Sequence, residues 1–543
     1  MKTPYLVALI FAVTLGVTGS LALVTPAQAN GCITPAAGTQ LDPFLIQTPA
    51  NLTCLKDNGS YYWGGGKYFR QTANLDMTGQ NWSSGIGNYT TQFTGHFDGA
   101  GYSINNLSIA ATHSGNEYWE GLALFGYLAT GSTLDNLNLA NVSVSVTGSG
   151  NSRVIATVAG WNNGQVTNVS TQGAVNVDET GYVASIGGFI GSGGSGSFSS
   201  INSDVDVNIR TRTASMSQVI YVGGFAGNIS GGTMSLLKNS GSLTVNSAAW
   251  IEQTSAFIGN IDNVTLSDSY SIASMDLTAV QGVTQVGLLT GQLNGAFMNR
   301  TYVTGAMTLS GGTGITYAGS LIGTSRGTSS ITNSFWDTTA IGQTLPLVGD
   351  VTTGALDQSG SSGQTYATLT LFSTFTTTNF VSAPWSISDG YEMVAANTWG
   401  ICNGVSAPFL RSMTLADPCP MLPEISIATS SIVAGGSVSI SGNGYQANEQ
   451  VRIELHSTPV VLTTLQANGA GEINALVTIP AATGAGNHDL VLYGLSSTTI
   501  TVVPITVIAA LAQTGSRSTF ELATIYMLFI AGALLLKFRH KIG

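Results

Sequence analysis

The stretch GLALFGYLATGSTLDNLNLANVSV (121–144) decides how this chain folds, because its two halves keep coming back. The first half is an apolar cluster that closes on Gly. It recurs as LALFG, ATVAG, GGFIG, GGFAG, SAFIG, GLLTG and GSLIG, with the closing Gly at 126, 160, 191, 227, 259, 291 and 323. The steps are 34, 31, 36, 32, 32 and 32 residues, a spacing that chance does not produce seven times. After each cluster comes a Gly, Asn or Ser turn and then an alternating stretch such as VTNVSTQGAVNV (166–177), INSDVDVNI (201–209) or MNRTYVTGAMTL (298–309). Alternation of period two sends one set of side chains inward and the other outward. Helical spacing is absent throughout this reading.

A unit of about 32 residues made of short strands cannot bury its own apolar face. Stacking such units in parallel solves this, since backbone hydrogen bonds then run along the stack and the inward Val, Ile, Leu and Phe form one column. The expected architecture is all-β, a right-handed parallel β-helix or solenoid; ten or so coils at about 4.8 Å each make a rod on the order of 50 Å long. A β-propeller needs four strands per blade and about 40 residues or more, and its blade signatures are missing. Composition agrees: 68 Gly, 43% hydrophobic and only 8% charged residues describe a β-rich chain with tight turns rather than a disordered one.

At the N-terminus, Lys2 precedes an apolar run from Tyr5 to Leu23, then Pro26 and Ala27-Gln28-Ala29, the pattern of a signal peptide over residues 1–29. Without it and without everything past Thr514, 11 Lys and Arg face 26 Asp and Glu, a net charge of −15. An acidic exterior with no basic run argues against nucleic acid as a partner. The four cysteines lie in two local pairs, Cys32 with Cys54 and Cys402 with Cys419. An exported chain oxidises such pairs, and short loops are the favoured pairing among the three that four cysteines permit. No metal is expected at them, since neither pair has CxxC spacing or a nearby His.

FTGHFDGAGYSINNLSI (93–109), then the stretch 121–144, the Gly-closed repeats and ITNSFWDTTAIGQT (331–344) together resemble the GLUG-type repeats of filamentous-haemagglutinin-like surface adhesins. The resemblance runs from about residue 38 to 410, opening on GTQLDPFLIQTPANL (38–52) and closing on WGICNGVSAPFL (399–410). It implies a solenoid with an adhesive or display role over residues 93–345, an N-terminal cap over 30–92 and a closing segment over 346–420. It names no ligand. Some proteins with such repeats are secreted metallopeptidases with an HExxH motif, but His96, His113, His456, His488 and His540 do not form one.

Residues 421–508 change character: six or seven short alternating strands separated by Gly, Asn and Pro turns predict a small antiparallel β-sandwich. It resembles the Ig-like spacer modules of actinobacterial surface proteins. Residues 509–543 follow with Leu511-Ala512-Gln513-Thr514-Gly515, fifteen uncharged residues Leu522 to Leu536, and the basic Lys537, Arg539, His540 and Lys541. This resembles an LPxTG-type sorting signal in LAxTG form, ending in a hydrophobic membrane helix. The resemblance implies attack by a sortase thiolate on the Thr514 carbonyl, release from Gly515 onward, and covalent transfer of Thr514 to peptidoglycan on a Gram-positive cell wall. Ala512 stands where Pro is commoner, which leaves the choice of sortase open. A plain C-terminal membrane anchor is the alternative.

The reading for function is therefore a cell-wall-anchored surface protein, an adhesin whose solenoid binds a glycan or surface-protein ligand, with no cofactor and no catalytic residue assigned. The rival reading is a secreted polysaccharide lyase or hydrolase, because parallel β-helices gather acids on neighbouring coils; Asp98, Asp204, Asp206 and Asp337 are its candidates. Each also has a structural explanation, as a turn residue or an outward strand position. Trp63, Trp82, Trp119 and Trp161 are candidates for stacking on sugars or for capping the solenoid. A passive coat or spacer protein is the third reading.

Overall fold

The structure, a computed structural model, describes residues 32–33 and 36–509, apart from 114–119, 150–152, 180–182, 212–217, 249, 279–281, 311–314, 342–344, 377–383, 391–396, 414–418, 420–422, 457–458 and 498. The signal peptide, Trp119 and the whole of the sorting signal, Leu511 to Gly515 with its apolar segment, lie outside the described residues. Among the described residues no helix is long and apolar enough to cross a membrane. The chain forms two compact units, one ending at Cys419 and the other starting at Pro420.

One sequence repeat is one coil of a parallel β-solenoid. Each coil is a long strand followed by two short ones, as in Gln165–Glu179, Val183–Gly187 and Ile190–Gly193, before the next long strand Ser197–Thr211 begins. Like strands stack on like, giving a 20-stranded sheet of long-strand segments and sheets of seven and eight short strands. The solenoid makes about seven turns. That is fewer than the ten or so expected from length. The first strands, Phe44–Ile46, Tyr68–Gln71 and His96–Asp98, add rungs to the long-strand sheet before the three-sided coil is established.

Alternation along the long strands builds an unbroken apolar ladder. Phe44, Phe69, Phe97, Leu134, Val166, Phe198, Met234, Leu266, Met298 and Ile331 stack in register, each buried in one continuous core. Burying such a side chain is worth about 1.5–3 kcal/mol. The aromatic of the GGFIG and GGFAG clusters forms a second ladder at the turn between the short strands. There Phe189 stacks on Phe225 at 5.1 Å, and Phe225 meets Phe257 edge-on at 5.4 Å.

The closing Gly has a steric cause. At that position the two short-strand sheets approach backbone to backbone. A Cβ on Gly259 would stand 2.5 Å from the Gly227 carbonyl oxygen and 2.7 Å from that of Val222, and one on Gly291 would stand 2.8 Å from the Gly259 carbonyl oxygen. Gly160, Gly191, Gly227 and Gly323 meet the preceding Gly carbonyl in the same way. A third periodic feature bends each long strand: Asn136, Asn168, Ser200, Leu236, Asp268, Arg300 and Asn333 occupy the left-handed region with φ between 46° and 58°. Asn is well suited there. Its side chains also bond along the stack, Asn168 Nδ2 donating to Asn136 Oδ1 at 2.9 Å.

A helix closes the first rung, ahead of the repeats in which helical spacing is absent. Pro49–Asp57 is started by a reciprocal cap in which Thr48 Oγ1 accepts from the Asn51 N–H at 3.3 Å and Asn51 Oδ1 accepts from the Thr48 N–H at 3.1 Å. Leu52 and Leu55 face the core, and Cys54 ties the helix to Cys32 by a disulfide. The segment after the last coils does not simply cap the end. It lies along the outer side of the long-strand sheet, where Trp385, Trp399, Phe375 and Leu410 cover the ladder Tyr270, Tyr302 and Phe335. Trp399 Nε1 donates to Asp268 Oδ1 at 3.0 Å, Arg300 grips both oxygens of Asp268 at 2.6 Å, and Cys402–Cys419 staples the segment to itself.

The second unit is a two-sheet sandwich around its own core, antiparallel except where Ser431–Val433 runs parallel to Ile500–Ile508, a departure from the fully antiparallel expectation. Glu424–Ile427, Ser437–Asn443 and Ile473–Thr478 form one sheet. Five strands, with Gly486–Gly494 at the centre, form the other. Ile440, Val451, Ile453, Leu490 and Leu492 fill the space between.

The glycine seam makes a direct prediction. Gly259→Val forces a branched side chain into backbone and should lower stability by about 1–3 kcal/mol or more. Gly64→Ala, whose Cβ meets nothing within 4 Å, should leave it unchanged; denaturant midpoints of the two variants check the contrast.

Candidate functional site

The acids singled out by sequence do not converge. Asp204 accepts from Ser240 Oγ at 3.2 Å and Gln172 Nε2 at 3.4 Å, and Asp206 accepts from the Ser242 N–H at 3.0 Å and its hydroxyl at 2.6 Å. Both knit neighbouring coils. Asp337 is buried and accepts from the Thr339 N–H at 2.8 Å, closing a local turn. Trp63 and Trp82 are core residues, Trp63 Nε1 donating to the Leu55 carbonyl at 2.8 Å, while Trp161 is half-buried and lies parallel to Tyr127 at 6.5 Å. Among the described residues no group of three or more His, Cys, Asp or Glu could hold a metal.

Asp98 is different. It lies in a cleft of about 660 Å³ on the outer side of the long-strand sheet, at its N-terminal end. The cleft exists because Tyr68–Gln71, His96–Asp98 and the start of Thr133–Gly148 stack as consecutive rungs. With Phe69, Phe97 and Leu134 pointing in, alternation sends two columns out: Tyr68, His96 and Thr133, and beside them Arg70, Asp98 and Asp135. Gln40 and Pro43, from the turn preceding the first strand, complete the wall.

The first column is an aromatic platform. The Tyr68 and His96 rings stack at 4.2 Å and 23°, and His96 Nδ1 lies 3.2 Å from Thr133 Oγ1. The second is charged. Arg70 Nε stands 3.8 Å from Asp98 Oδ2, while Asp98 Oδ1 accepts from the Ala100 N–H at 2.8 Å and from Asn136 Nδ2 at 3.1 Å. Asp135 follows one rung on. Burial pushes its carboxyl above the ordinary aspartate value; a hydrogen bond from Thr133 opposes the rise, the neighbouring Asp98 charge adds to it and His96 subtracts from it. The cleft thus offers a stacking surface, a guanidinium, an amide and two carboxylates.

Arg70, His96 and Asp135 were missed in the sequence because the register joining them does not follow the repeat. Tyr68 to His96 is 28 residues and His96 to Thr133 is 37, whereas later rungs are mostly 32 apart. The available signal was the alternation itself: YFR, HFD and TLD each carry a single apolar residue between two polar or amphipathic ones.

No family model matches the chain. It is similar to halomucin of Haloquadratum walsbyi, at 34% identity over 165 residues, which is 28% of this chain and 2% of that protein. It is also similar to a Renibacterium salmoninarum protein named "Putative endo-alpha-N-acetylgalactosaminidase", at 31% identity over 98 residues, 18% of this chain and 6% of that protein. The chain therefore spans only a small fraction of each of these relatives. Among solved structures, macromomycin aligns over 16% of this chain and 99% of its own, at 14% identity and a TM-score of 0.14.

The Asp98–Asp135 coupling is testable by carboxyl ¹³C NMR. Asp135 should titrate above an ordinary aspartate, and Asp98→Asn should lower its midpoint by removing the neighbouring charge.

Proposed function

We propose that this is an exported surface protein whose solenoid binds a glycan in the cleft of Tyr68, Arg70, His96, Asp98 and Asp135. The observation that carries the reading is the pairing of a stacked aromatic platform with a row of charged and amide groups in one open cleft. Sugars are held in this way, by stacking of their apolar face and hydrogen bonds to their hydroxyls. A solenoid fold and partial matches to halomucin and to a protein bearing a glycosidase name fit a surface or glycan-related protein. The polar ladders outside the cleft are largely occupied with one another, as where Asn208 Nδ2 donates to Asn176 Oδ1 at 3.1 Å and Ser170 Oγ to Asn138 Oδ1 at 2.7 Å. They stiffen the rod, whereas the cleft brings aromatic, basic and acidic side chains together on one open face.

Display completes the proposal. The LAQTG sequence with its apolar segment and basic end supports sortase transfer of Thr514 to peptidoglycan, so that the GLUG-like solenoid is held at the cell surface by the sandwich that follows it. Cleavage of a polysaccharide has one observation in its favour: Asp98 and Asp135 sit opposite one another on adjacent rungs, and a pair of carboxyls is what a glycosidase uses. Adhesion remains the preferred reading because Asp98 Oδ1 is held by the Ala100 N–H and Asn136, which leaves Oδ2 to meet a ligand by charge rather than to act in proton transfer.

Two measurements bear on this. Muramidase digestion of purified walls followed by mass spectrometry should find Thr514 joined to a peptidoglycan peptide; a protein that keeps residues 515–543 and leaves with detergent refutes the anchoring. On a glycan array the protein should bind a restricted set without cleaving it, and Tyr68→Ala should weaken that binding about tenfold, the loss of one stacking contact of ~1–1.5 kcal/mol.

A further inference from the structure

We infer that the cleft selects a glycan carrying a free amine, a 2-amino-2-deoxy sugar in its ammonium form, by seating that cation between Asp98 and Asp135. The inference rests on the cleft being a glycan site and adds the chemistry of the ligand.

It starts from an electrostatic imbalance built into the register. Arg70, Asp98 and Asp135 occupy three successive rungs of one column, and the next residue in it is Thr167. Arg70 lies beside Asp98 only, on the side away from Asp135. The charged or titratable groups facing Asp135 are Asp98 from the rung below and His96 from the adjoining column, with Tyr68 and Arg70 one rung further. Two carboxylates are thus held one rung apart with a single guanidinium at one end. Like charges this close repel, and part of that repulsion appears as the raised Asp135 carboxyl.

The rung spacing points to what relieves it. Adjacent rungs are about 4.8 Å apart, and an N⁺–H···O⁻ bond is about 2.7–2.9 Å long. An ammonium nitrogen between the two carboxylates can therefore reach both. A divalent cation is a poorer fit, because calcium takes six to eight oxygens and no third acid joins the pair among the described residues. Beside the gap, the stacked Tyr68 and His96 rings offer a face to the sugar that carries the amine. An N-acetyl group cannot make this contact: it has no charge, and its bulk would leave the carboxylates facing each other. The net charge of −15 over residues 30–514 draws a polycationic glycan toward the surface as well.

The test uses the whole exported protein and an array of matched oligosaccharides, each as the free amine and as its N-acetylated form, read at pH 7 and pH 4. At pH 7 the free amines should bind about tenfold or more tightly than their acetylated partners, the gain of one charge-assisted contact. That preference should shrink at pH 4, where Asp135 takes up a proton, and should be lost in Asp135→Asn while any binding of neutral sugars remains. Equal binding of amine and acetyl forms overturns the inference and leaves the glycan reading standing. So does a preference that survives in Asp135→Asn. Binding of no oligosaccharide at all overturns both.

Discussion

Where the two short-strand sheets meet, backbone lies against backbone, and the absence of a Cβ is what permits it. Each Gly in the column from Gly126 to Gly323 occupies a place where a methyl group would run into a carbonyl oxygen of the preceding coil or of the facing strand. That closeness draws the short strands together, so the apolar cluster before each Gly turns inward and the long strand is left to form the broad face. The repeat is therefore a steric rule as much as a hydrophobic one. Period-two alternation alone would allow a sheet, a sandwich or a barrel; the glycine seam selects a narrow three-sided coil.

Regular stacking has a cost for function, since identical rungs satisfy one another. Asn bonds to Asn, Ser to Asn and Asp to Ser along the outer ladders, and little is left over for a ligand. One cluster of such groups occurs where the repeat is broken. At the N-terminal end the spacing between rungs is 28 and then 37 residues, and there aromatic, basic and acidic side chains are brought together in a cleft. At the other end the outward column becomes Tyr270, Tyr302 and Phe335, and the chain itself supplies the cover, locked by the Asp268–Arg300 pair and the Trp399 indole. One irregular end is open and the other is already occupied by the protein's own segment.

The sequence reading was strongest where a physical constraint repeats. Seven Gly-closed clusters disclosed the solenoid, because each coil meets the same steric demand, while the number of residues per coil became clear only from the strand register. The N-terminal helix was overlooked although Thr48-Pro49 and Asn51 carry its start signal, since a search for long-range alternation passes over nine residues of local capping. The cleft was legible only through Asp98. Its partners Arg70, His96 and Asp135 are distant in sequence and are joined by a register that no fixed period reveals, so their proximity depends on loop lengths between strands. The tryptophans admitted two readings, stacking on sugars or capping the solenoid, and Trp63 and Trp82 are folded into the core by the N-terminal turns, in keeping with the second.

If the coil is the unit of this fold, its removal should be tolerated only in whole numbers. Deleting residues 233–264 joins Gly232 to Thr265, the residue stacked directly on Thr233, and restores every ladder in register. The shortened protein should keep a β-rich circular dichroism spectrum and one cooperative unfolding transition near that of the parent. Deleting half as much, residues 233–248, breaks the ladders and should abolish that transition. Equal tolerance of the two deletions, or equal collapse, would contradict a solenoid whose stability rests on coil-by-coil registry.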